Sequence, residues 1–201
     1  MTKFQVSTVL SARGVHKSFG AVMAAEDINI DILAGQRVSL IGSNGAGKTT
    51  FVNMVTGYLK PDAGTIELNG KTIVGLGPRQ ISALGIARSF QIPQLALEMT
   101  ALDNMLVAAA CNDGPLSVWR PAHSPARIER AEALLEKFDL IAHINRRVAE
   151  LPGGVRKLLD IAMALTGEPK LLLLDEPTSG VSVDEKFPMM DTISTALSSE
   201  V

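Results

Sequence analysis

The stretch that decides the fold of this chain covers residues 42–50 and reads GSNGAGKTT. It matches G-x-x-x-x-G-K-[ST], the pattern of a phosphate-binding loop, at every fixed position. A strand-like run, QRVSLI over residues 36–41, precedes it, and a helix-like run, TTFVNMV over residues 49–55, follows it. That order distinguishes a phosphate loop from a glycine-rich turn that merely caps a helix. The candidate nucleotide-binding residues of the loop are Gly42, Ser43, Asn44, Gly45, Ala46, Gly47, Lys48, Thr49 and Thr50.

The composition of the loop fits the chemistry of a nucleoside triphosphate. Glycines let backbone N–H groups approach phosphate oxygens without a Cβ in the way. The N-terminus of the following helix adds a partial positive charge. Lys48 can neutralise the β- and γ-phosphates, and the hydroxyl of Thr49 can bind Mg²⁺. The loop therefore predicts an ATP-type nucleotide with Mg²⁺ as its partner ion.

Bulk properties restrict the class of protein. The chain has 201 residues, of which 46 % are hydrophobic, so it is long enough for one domain with a buried core. Basic and acidic residues are mixed along a chain of net charge −2, so no basic patch indicates a nucleic-acid partner. The single cysteine, Cys111, permits no internal disulfide. The apolar runs are too short to span a bilayer, and the N-terminus lacks a secretory segment. We therefore expect a cytoplasmic protein that reaches a membrane only through a partner.

Local patterns predict the elements around the loop. Residues 4–33 read as short strands joined by turns, with isoleucines 28, 30 and 32 alternating with polar residues. The helix after the loop should stop at Gly57, and Asn69-Gly70 signals a hairpin. Thr100 and Asp103 form a capping box ahead of a helix, and residues 127–140 form an amphipathic helix.

A second motif carries carboxylates at the end of a strand. Residues 171–174 are four consecutive leucines, typical of a strand buried on both faces of a parallel sheet. Asp175 and Glu176 follow directly, at the edge where ligands bind in such sheets. Asp175 can hold Mg²⁺, and Glu176 can act as the general base that activates water. The plainer interpretation is an Asp that caps the next turn and a solvated Glu.

Between the two motifs, residues 151–162 read LPGGVRKLLDIA and resemble the signature segment of ATP-binding subunits of ABC transporters. In that family the segment, usually Leu-Ser-Gly-Gly-Gln, opens a helix and meets the γ-phosphate held by the other subunit of a dimer. Gly153 and Gly154 match its glycines, whereas Pro152 and Val155 stand where the family has Ser and Gln. The departure removes one hydroxyl donor and leaves the glycine backbone donors, and proline is acceptable in the first turn of a helix.

The resemblance covers nearly the whole chain and implies further roles. Phe19 matches the aromatic residue that stacks on adenine, and Gln91 matches the loop glutamine that reaches Mg²⁺ and links to the membrane subunits. The implied fold is α/β, with a P-loop NTPase core, an antiparallel β-subdomain and a helical subdomain near residues 92–165. All would belong to one nucleotide-binding domain over residues 1–201. The implied catalytic residues are Lys48, Gln91 and Glu176, and the implied metal ligands are Thr49, Gln91 and Asp175.

Within the family, RSFQIP at residues 88–93 and MTALDN at residues 99–104 resemble the branched-chain amino-acid uptake subgroup. The resemblance implies an ATPase with ATP and Mg²⁺ as cofactors, which powers an importer from the inner face of the cell membrane. Its implied partners are permease subunits, a second ATP-binding subunit and, indirectly, a solute-binding protein, with no nucleic acid. Alternatives are an ABC ATPase of an export or non-transport system, and a nucleotide-binding module without turnover.

The end of the sequence raises a separate expectation. The family has a further strand after the Asp-Glu pair that ends in a switch histidine, whereas this sequence stops at Val201 and has no histidine after His143. We therefore expect a fragment or a natural truncation that lacks the switch region. Such a chain should bind Mg-ATP, hydrolyse it more slowly than a version extended through that strand, and be more prone to aggregate.

Overall fold

A computed structural model describes residues 7–43, 45–112 and 123–198. The chain forms two compact units, residues 1–86 and residues 87–201. None of the helices in the described ranges is long and apolar enough to cross a membrane. The first unit contains β1 (Thr8–Phe19), β2 (Val22–Leu33), α1 (Lys48–Val55), β3 (Ala63–Leu68), β4 (Lys71–Thr72) and α2 (Pro78–Ala83). From the boundary onward follow β5 (Ile86–Ser89), α3 (Ala101–Asn112), α4 (Pro125–Lys137), α5 (Gly153–Leu165), β6 (Leu171–Leu174) and α6 (Val183–Ser198).

The sheet of the first unit is antiparallel, with the strand order β2-β1-β3-β4. The predicted alternation in β2 is confirmed, since isoleucines 28, 30 and 32 are half-buried while residues 29 and 31 are exposed. The expected short strands are instead two strands of 12 residues each, whose pairing contains several register shifts. These irregularities let long strands twist without a break in the chain.

Helix α1 and the β3–β4 hairpin begin and end where local signals predict. Helix α1 ends at Val55, and Gly57 takes φ +75°, where an added Cβ would lie 2.7 Å from the Leu76 carbonyl oxygen. Asn69 and Gly70 both have positive φ, 48° and 73°, as a tight two-residue hairpin requires. Both predictions are confirmed because the determining residues are adjacent in sequence.

The strand predicted over residues 36–41 is not formed. This segment has no strand pairing, and Ile41 is 94 % exposed. A strand is stabilised by ladder hydrogen bonds to a neighbour, and no strand among the described residues pairs with this segment. The phosphate loop is therefore preceded by a segment without regular secondary structure.

The core of the second unit is built mainly from α3, α4, α5 and α6. Its fully buried side chains include Leu135 and Phe138 near the end of α4, and Leu159 and Ile161 in α5. The capping box before α3 is confirmed, with the Asp103 N–H donating to Thr100 Oγ1 at 3.1 Å and Thr100 Oγ1–H donating to Asp103 Oδ2 at 2.6 Å. The same hydroxyl bond holds the pKa of Asp103 below its usual value.

Strand β6 forms where it was predicted but is less buried than expected. Leu171 is buried, whereas the other three leucines are only half-buried. The expectation of burial on both faces is wrong because β6 pairs only with β5 among the described strands. A two-stranded sheet covers its central side chains less completely than a wide parallel sheet.

Truncating the core of the second unit should lower its stability strongly. Phe138 is 0 % exposed, so Phe138→Ala removes a large side chain from a closed core. We expect the free energy of unfolding to fall by about 3–5 kcal/mol. Urea denaturation followed by circular dichroism measures it. The matched control is Phe187→Ala on α6, where the ring is 78 % exposed and the change should stay within about 0.5 kcal/mol.

Candidate functional site

The phosphate loop of the first unit depends on a glycine at the start of α1. Gly47 caps the helix with φ +82°, a left-handed conformation that disfavours other residues. A Cβ at this position would lie 2.0 Å from the carbonyl oxygen of Ala24 in β2. Gly45 also has a positive φ, +84°, but an added Cβ there meets no atom within 4 Å. Gly47 is thus required both by backbone conformation and by close packing on β2.

Lys48 turns its side chain back over the loop. Its Nζ donates to the carbonyl oxygens of Gly42 at 2.6 Å and Ser43 at 2.8 Å. Thr49 is exposed in the first turn of α1, where the N–H groups have no partner within the helix. An ammonium group, a hydroxyl and helix N-terminal amides can together hold a polyphosphate and its cation. Of the other predicted loop residues, Ala46 donates its N–H to the Ser43 oxygen at 3.1 Å, Thr50 lies half-buried on α1, and Asn44 lies outside the described residues.

Phe19 ends β1 with half of its surface in solvent. The side chain is 51 % exposed, and Lys17 Nζ lies 5.6 Å from the centre of its ring. It pairs in the sheet with Val22, which is 66 % exposed. An exposed aromatic face beside an apolar neighbour can stack on a nucleobase.

Replacing Gly47 should weaken nucleotide binding. In Gly47→Ala the new Cβ overlaps the Ala24 oxygen, so the loop backbone has to shift away from its present path. We expect the affinity for ATP to fall by at least about tenfold, or 1.4 kcal/mol, as measured by titration with a fluorescent ATP analogue. Gly35→Ala is the matched control, because Gly35 has φ +71° but an added Cβ there meets nothing within 4 Å. Unchanged affinity in folded Gly47→Ala protein would show that the loop does not bind nucleotide in this conformation.

In the second unit, Asp175 follows β6 and forms an ion pair with Arg88 of β5. Arg88 Nη2 donates to Asp175 Oδ2 at 2.7 Å, and the two side chains are only 9 % and 15 % exposed. The Asp175 N–H lies 3.3 Å from the Ser89 oxygen, which ties the end of β6 to β5. Removing one partner from such a largely buried pair leaves an uncompensated charge. Sequence reasoning missed the role of Arg88, because its partner lies 87 positions away.

Glu176 lies next to the ion pair in an uncommon conformation. Its backbone φ is +46°, which is rare for a residue with a side chain and recurs at functional sites. The carboxylate is exposed, and its Oε2 accepts a hydrogen bond from Gln91 Nε2 at 3.0 Å. The structure therefore brings Gln91 into contact with Glu176, the neighbour of Asp175 in the chain. A solvent-facing carboxylate held by an amide is suited to accept a proton from water.

The residues around Asp175 fit a magnesium ion shared with a nucleotide. Magnesium in phosphate sites takes one or two carboxylates, with the remaining ligands from water and phosphate. In the second unit, Asp175 and Gln91 offer oxygen ligands of this kind. No group of three or more His, Cys, Asp or Glu within the described ranges is arranged to hold a metal by itself. The donor set therefore fits an ion that arrives with the triphosphate.

Helix α5 begins with the two glycines of the signature segment. Gly153 is exposed, and an added Cβ there meets no atom within 4 Å. An added Cβ at Gly154 would touch only Val181 Cγ1, at 3.8 Å. Pro152 takes the cap position, and the free N–H groups of the first turn can bind an anion. The local fold does not require glycine at position 153.

Two charged residues of α5 are buried, which sequence reasoning missed. Lys157 is 2 % exposed and Asp160 is 7 % exposed. Burial lowers the pKa of Lys157 against the opposing effect of nearby carboxylates, and burial raises the pKa of Asp160. Asp160 Oδ2 accepts a 2.6 Å hydrogen bond from Ser89 Oγ. The signal in the sequence that could have indicated Lys157 and Asp160 is that they interrupt the apolar pattern of a buried helix.

Comparison with known proteins identifies the family. The family profile described as ABC transporter matches residues 25–179. The chain is 38 % identical over 185 residues to the high-affinity branched-chain amino acid transport ATP-binding protein LivG of Escherichia coli K12, and the match covers 88 % of this chain and 72 % of that protein. It is 35 % identical to BraF of Pseudomonas aeruginosa, a protein with the same description, and that match covers 88 % of this chain and 72 % of that protein.

Comparison with solved structures points to the same family as the sequence comparison. A solved ATP-binding cassette of an ABC transporter in its ADP conformation superposes with a TM-score of 0.82 at 33 % identity, over 96 % of this chain and 77 % of that one. The expected fold class, an α/β ABC ATPase with an antiparallel sheet and a helical part, is thereby confirmed. The chain belongs to the ABC transporter family as an ATP-binding subunit that hydrolyses ATP.

Proposed function

We propose that this chain hydrolyses Mg-ATP to power the import of branched-chain amino acids or a related small solute. The observation that carries the proposal is the hydrogen bond between Gln91 and the exposed carboxylate of Glu176, beside Asp175 at the end of β6. The phosphate loop at residues 42–50 matches its motif at every fixed position and supplies the residues that bind the triphosphate. The solute is inferred from relatives that are described as branched-chain amino acid transport proteins.

Each residue then has a defined role. Lys48 and the N–H groups of the loop at residues 42–50 bind the β- and γ-phosphates, and Phe19 stacks on the base. Thr49, Gln91 and Asp175 would hold Mg²⁺, and the ion would neutralise charge on the phosphates. Glu176 accepts a proton from the attacking water, and its bond to Gln91 orients it. All of this takes place in one nucleotide-binding domain over residues 1–201, with a helical subdomain near residues 92–165.

The partners follow from membership in an ABC transport system, which implies permease subunits. We propose that ATP also brings two ATP-binding subunits together at the inner face of the membrane. In that arrangement the N–H groups of Gly153 and Gly154 donate to the γ-phosphate held by the other subunit. A solute-binding protein would act on the permease rather than on this chain.

Gly153→Ala tests the role of the second subunit. Because an added Cβ at Gly153 meets nothing within this chain, the variant should fold and bind ATP as the wild type does. If the N–H of Gly153 meets the γ-phosphate held by the partner subunit, the new Cβ should keep that phosphate away from it. Hydrolysis should then fall by about tenfold or more, as it does when a donor to the transition state is lost. Phosphate release and ATP affinity are measured on the same preparation. Wild-type hydrolysis in this variant would remove Gly153 from the site.

The solute is tested in proteoliposomes that contain the chain with its permease, supplemented with the solute-binding protein. We expect leucine with its binding protein to stimulate ATP hydrolysis and to be taken up only when ATP is present. An aromatic or basic amino acid serves as the comparison. Hydrolysis that responds only to another solute would overturn the branched-chain assignment and leave the ATPase intact. ATP binding without any hydrolysis would favour the nucleotide-binding module.

A further inference from the structure

The buried ammonium of Lys157 is surrounded by backbone carbonyl oxygens from two different segments. Its Nζ donates to the oxygen of Phe90 and lies 3.4 Å from the oxygen of Gln91. It also lies 3.5 Å from the oxygen of Asp175. Lys157 therefore contacts the main chain of Gln91 and the main chain immediately before Glu176. These are the two residues whose side chains form the 3.0 Å hydrogen bond of the site.

Asp160, three positions further along α5, binds both ends of the segment of residues 89–94, which contains Phe90 and Gln91. Its Oδ2 accepts the hydroxyl of Ser89 at 2.6 Å, and its Oδ1 lies 3.4 Å from the N–H of Gln94. Residues 89–94 are thus attached to α5 on both sides of Gln91. The side chain of Gln91 itself is exposed, so its own packing does not fix its position.

A short series of contacts connects α5 to the backbone beside the Glu176 carboxylate. Helix α5 starts at Gly153, and Lys157 lies about one helical turn later on its buried face. Charge-assisted bonds from an ammonium to carbonyl oxygens are stronger than neutral ones, particularly where water is excluded. A shift of α5 would consequently move the backbone of Gln91 and the backbone before Glu176 together.

We propose that Lys157 is a positioning residue that sets the geometry of the Gln91–Glu176 pair and couples it to α5. The inference rests on the proposed role of Glu176 in ATP hydrolysis. Lys157 touches neither carboxylate of the site, so it acts through the backbone of the residues that do. Its loss should slow the chemical step without weakening the binding of ATP, because misplacement of a catalytic group by about 1 Å can reduce a rate about hundredfold.

The test compares Lys157→Met in two backgrounds, the wild-type chain and Gln91→Ala. In the wild-type background we expect kcat for ATP hydrolysis to fall by about ten- to hundredfold, with KM changed by less than about threefold. In the Gln91→Ala background the same substitution should lower kcat by a clearly smaller factor than in the wild type, because the Gln91–Glu176 pair whose geometry Lys157 sets is already broken. Lys170→Met, at an exposed lysine, is the matched control and should leave kcat unchanged.

Circular dichroism and urea denaturation establish that each variant is folded. If Lys157→Met does not fold, Ser89→Ala takes its place, since it removes only the hydroxyl that donates to Asp160. It is measured in the same two backgrounds. Its effect on kcat should likewise be smaller in Gln91→Ala than in the wild type. Equal losses of kcat in both backgrounds, or a raised KM with unchanged kcat, would overturn the positioning role. Absence of ATP hydrolysis by the wild-type chain is a different result, since it would remove the proposed function as well.

Discussion

Glu176→Gln is expected to lower the rate of ATP hydrolysis by about two to four orders of magnitude while ATP still binds. The substitution keeps the size of the side chain and its ability to accept a hydrogen bond from Gln91, but an amide does not take a proton from water. Binding should persist because the phosphate loop lies in the first unit and is untouched. Phosphate release and nucleotide affinity are measured in parallel with the wild type.

Glu168→Gln provides a closely matched control for this substitution. Glu168 is exposed and, like Glu176, has a left-handed backbone, with φ +48° against +46°. Any effect of replacing a strained, exposed glutamate in general would appear in both variants. We expect wild-type turnover in Glu168→Gln. A normal rate in Glu176→Gln would assign the general base to another group.

Lys48→Ala is expected to weaken ATP binding by about ten- to hundredfold, since hydrogen bonds to charged groups are worth about 1.5–3 kcal/mol. The ammonium lies over the loop carbonyls of Gly42 and Ser43, within the segment proposed to bind the phosphates. Turnover should be lost together with affinity, because the γ-phosphate loses its counter-charge. The measurement is titration with a fluorescent ATP analogue.

The control for Lys48→Ala is Lys71→Ala, which removes an exposed lysine from β4 of the same unit. It changes the net charge equally and leaves the loop intact. We expect its affinity for ATP to match that of the wild type. Equal loss in both variants would mean that only the overall charge matters and that Lys48 has no specific contact with phosphate.

Features set by neighbouring residues could be predicted from the sequence. The hairpin at Asn69 and Gly70, the end of α1 before Gly57 and the capping box of Thr100 all depend on conformational preferences within a few positions. Family resemblance assigns Gln91 to the same site as Glu176, and the hydrogen bond between their side chains is a finding of the structure.

Features that depend on distant partners could not be predicted. Residues 36–41 resemble a strand in their sequence, but a strand forms only beside a neighbouring strand, which the local sequence does not reveal. Arg88 and Lys157 look like ordinary surface cations in the sequence. Their burial follows from contacts with Asp175 and with the backbone of Phe90, 87 and 67 positions away. Such pairings are a property of the folded chain, so no local pattern identifies the partners.

Calorimetric titration of the wild-type protein with Mg-ATP tests most directly whether this chain carries a working nucleotide site. We expect saturable binding of about one ATP per chain through the single phosphate loop at residues 42–50. The same titration of folded Lys48→Ala should show a clearly weaker isotherm. Absence of saturable binding by folded wild-type protein, or identical isotherms for the two proteins, would contradict the site described here.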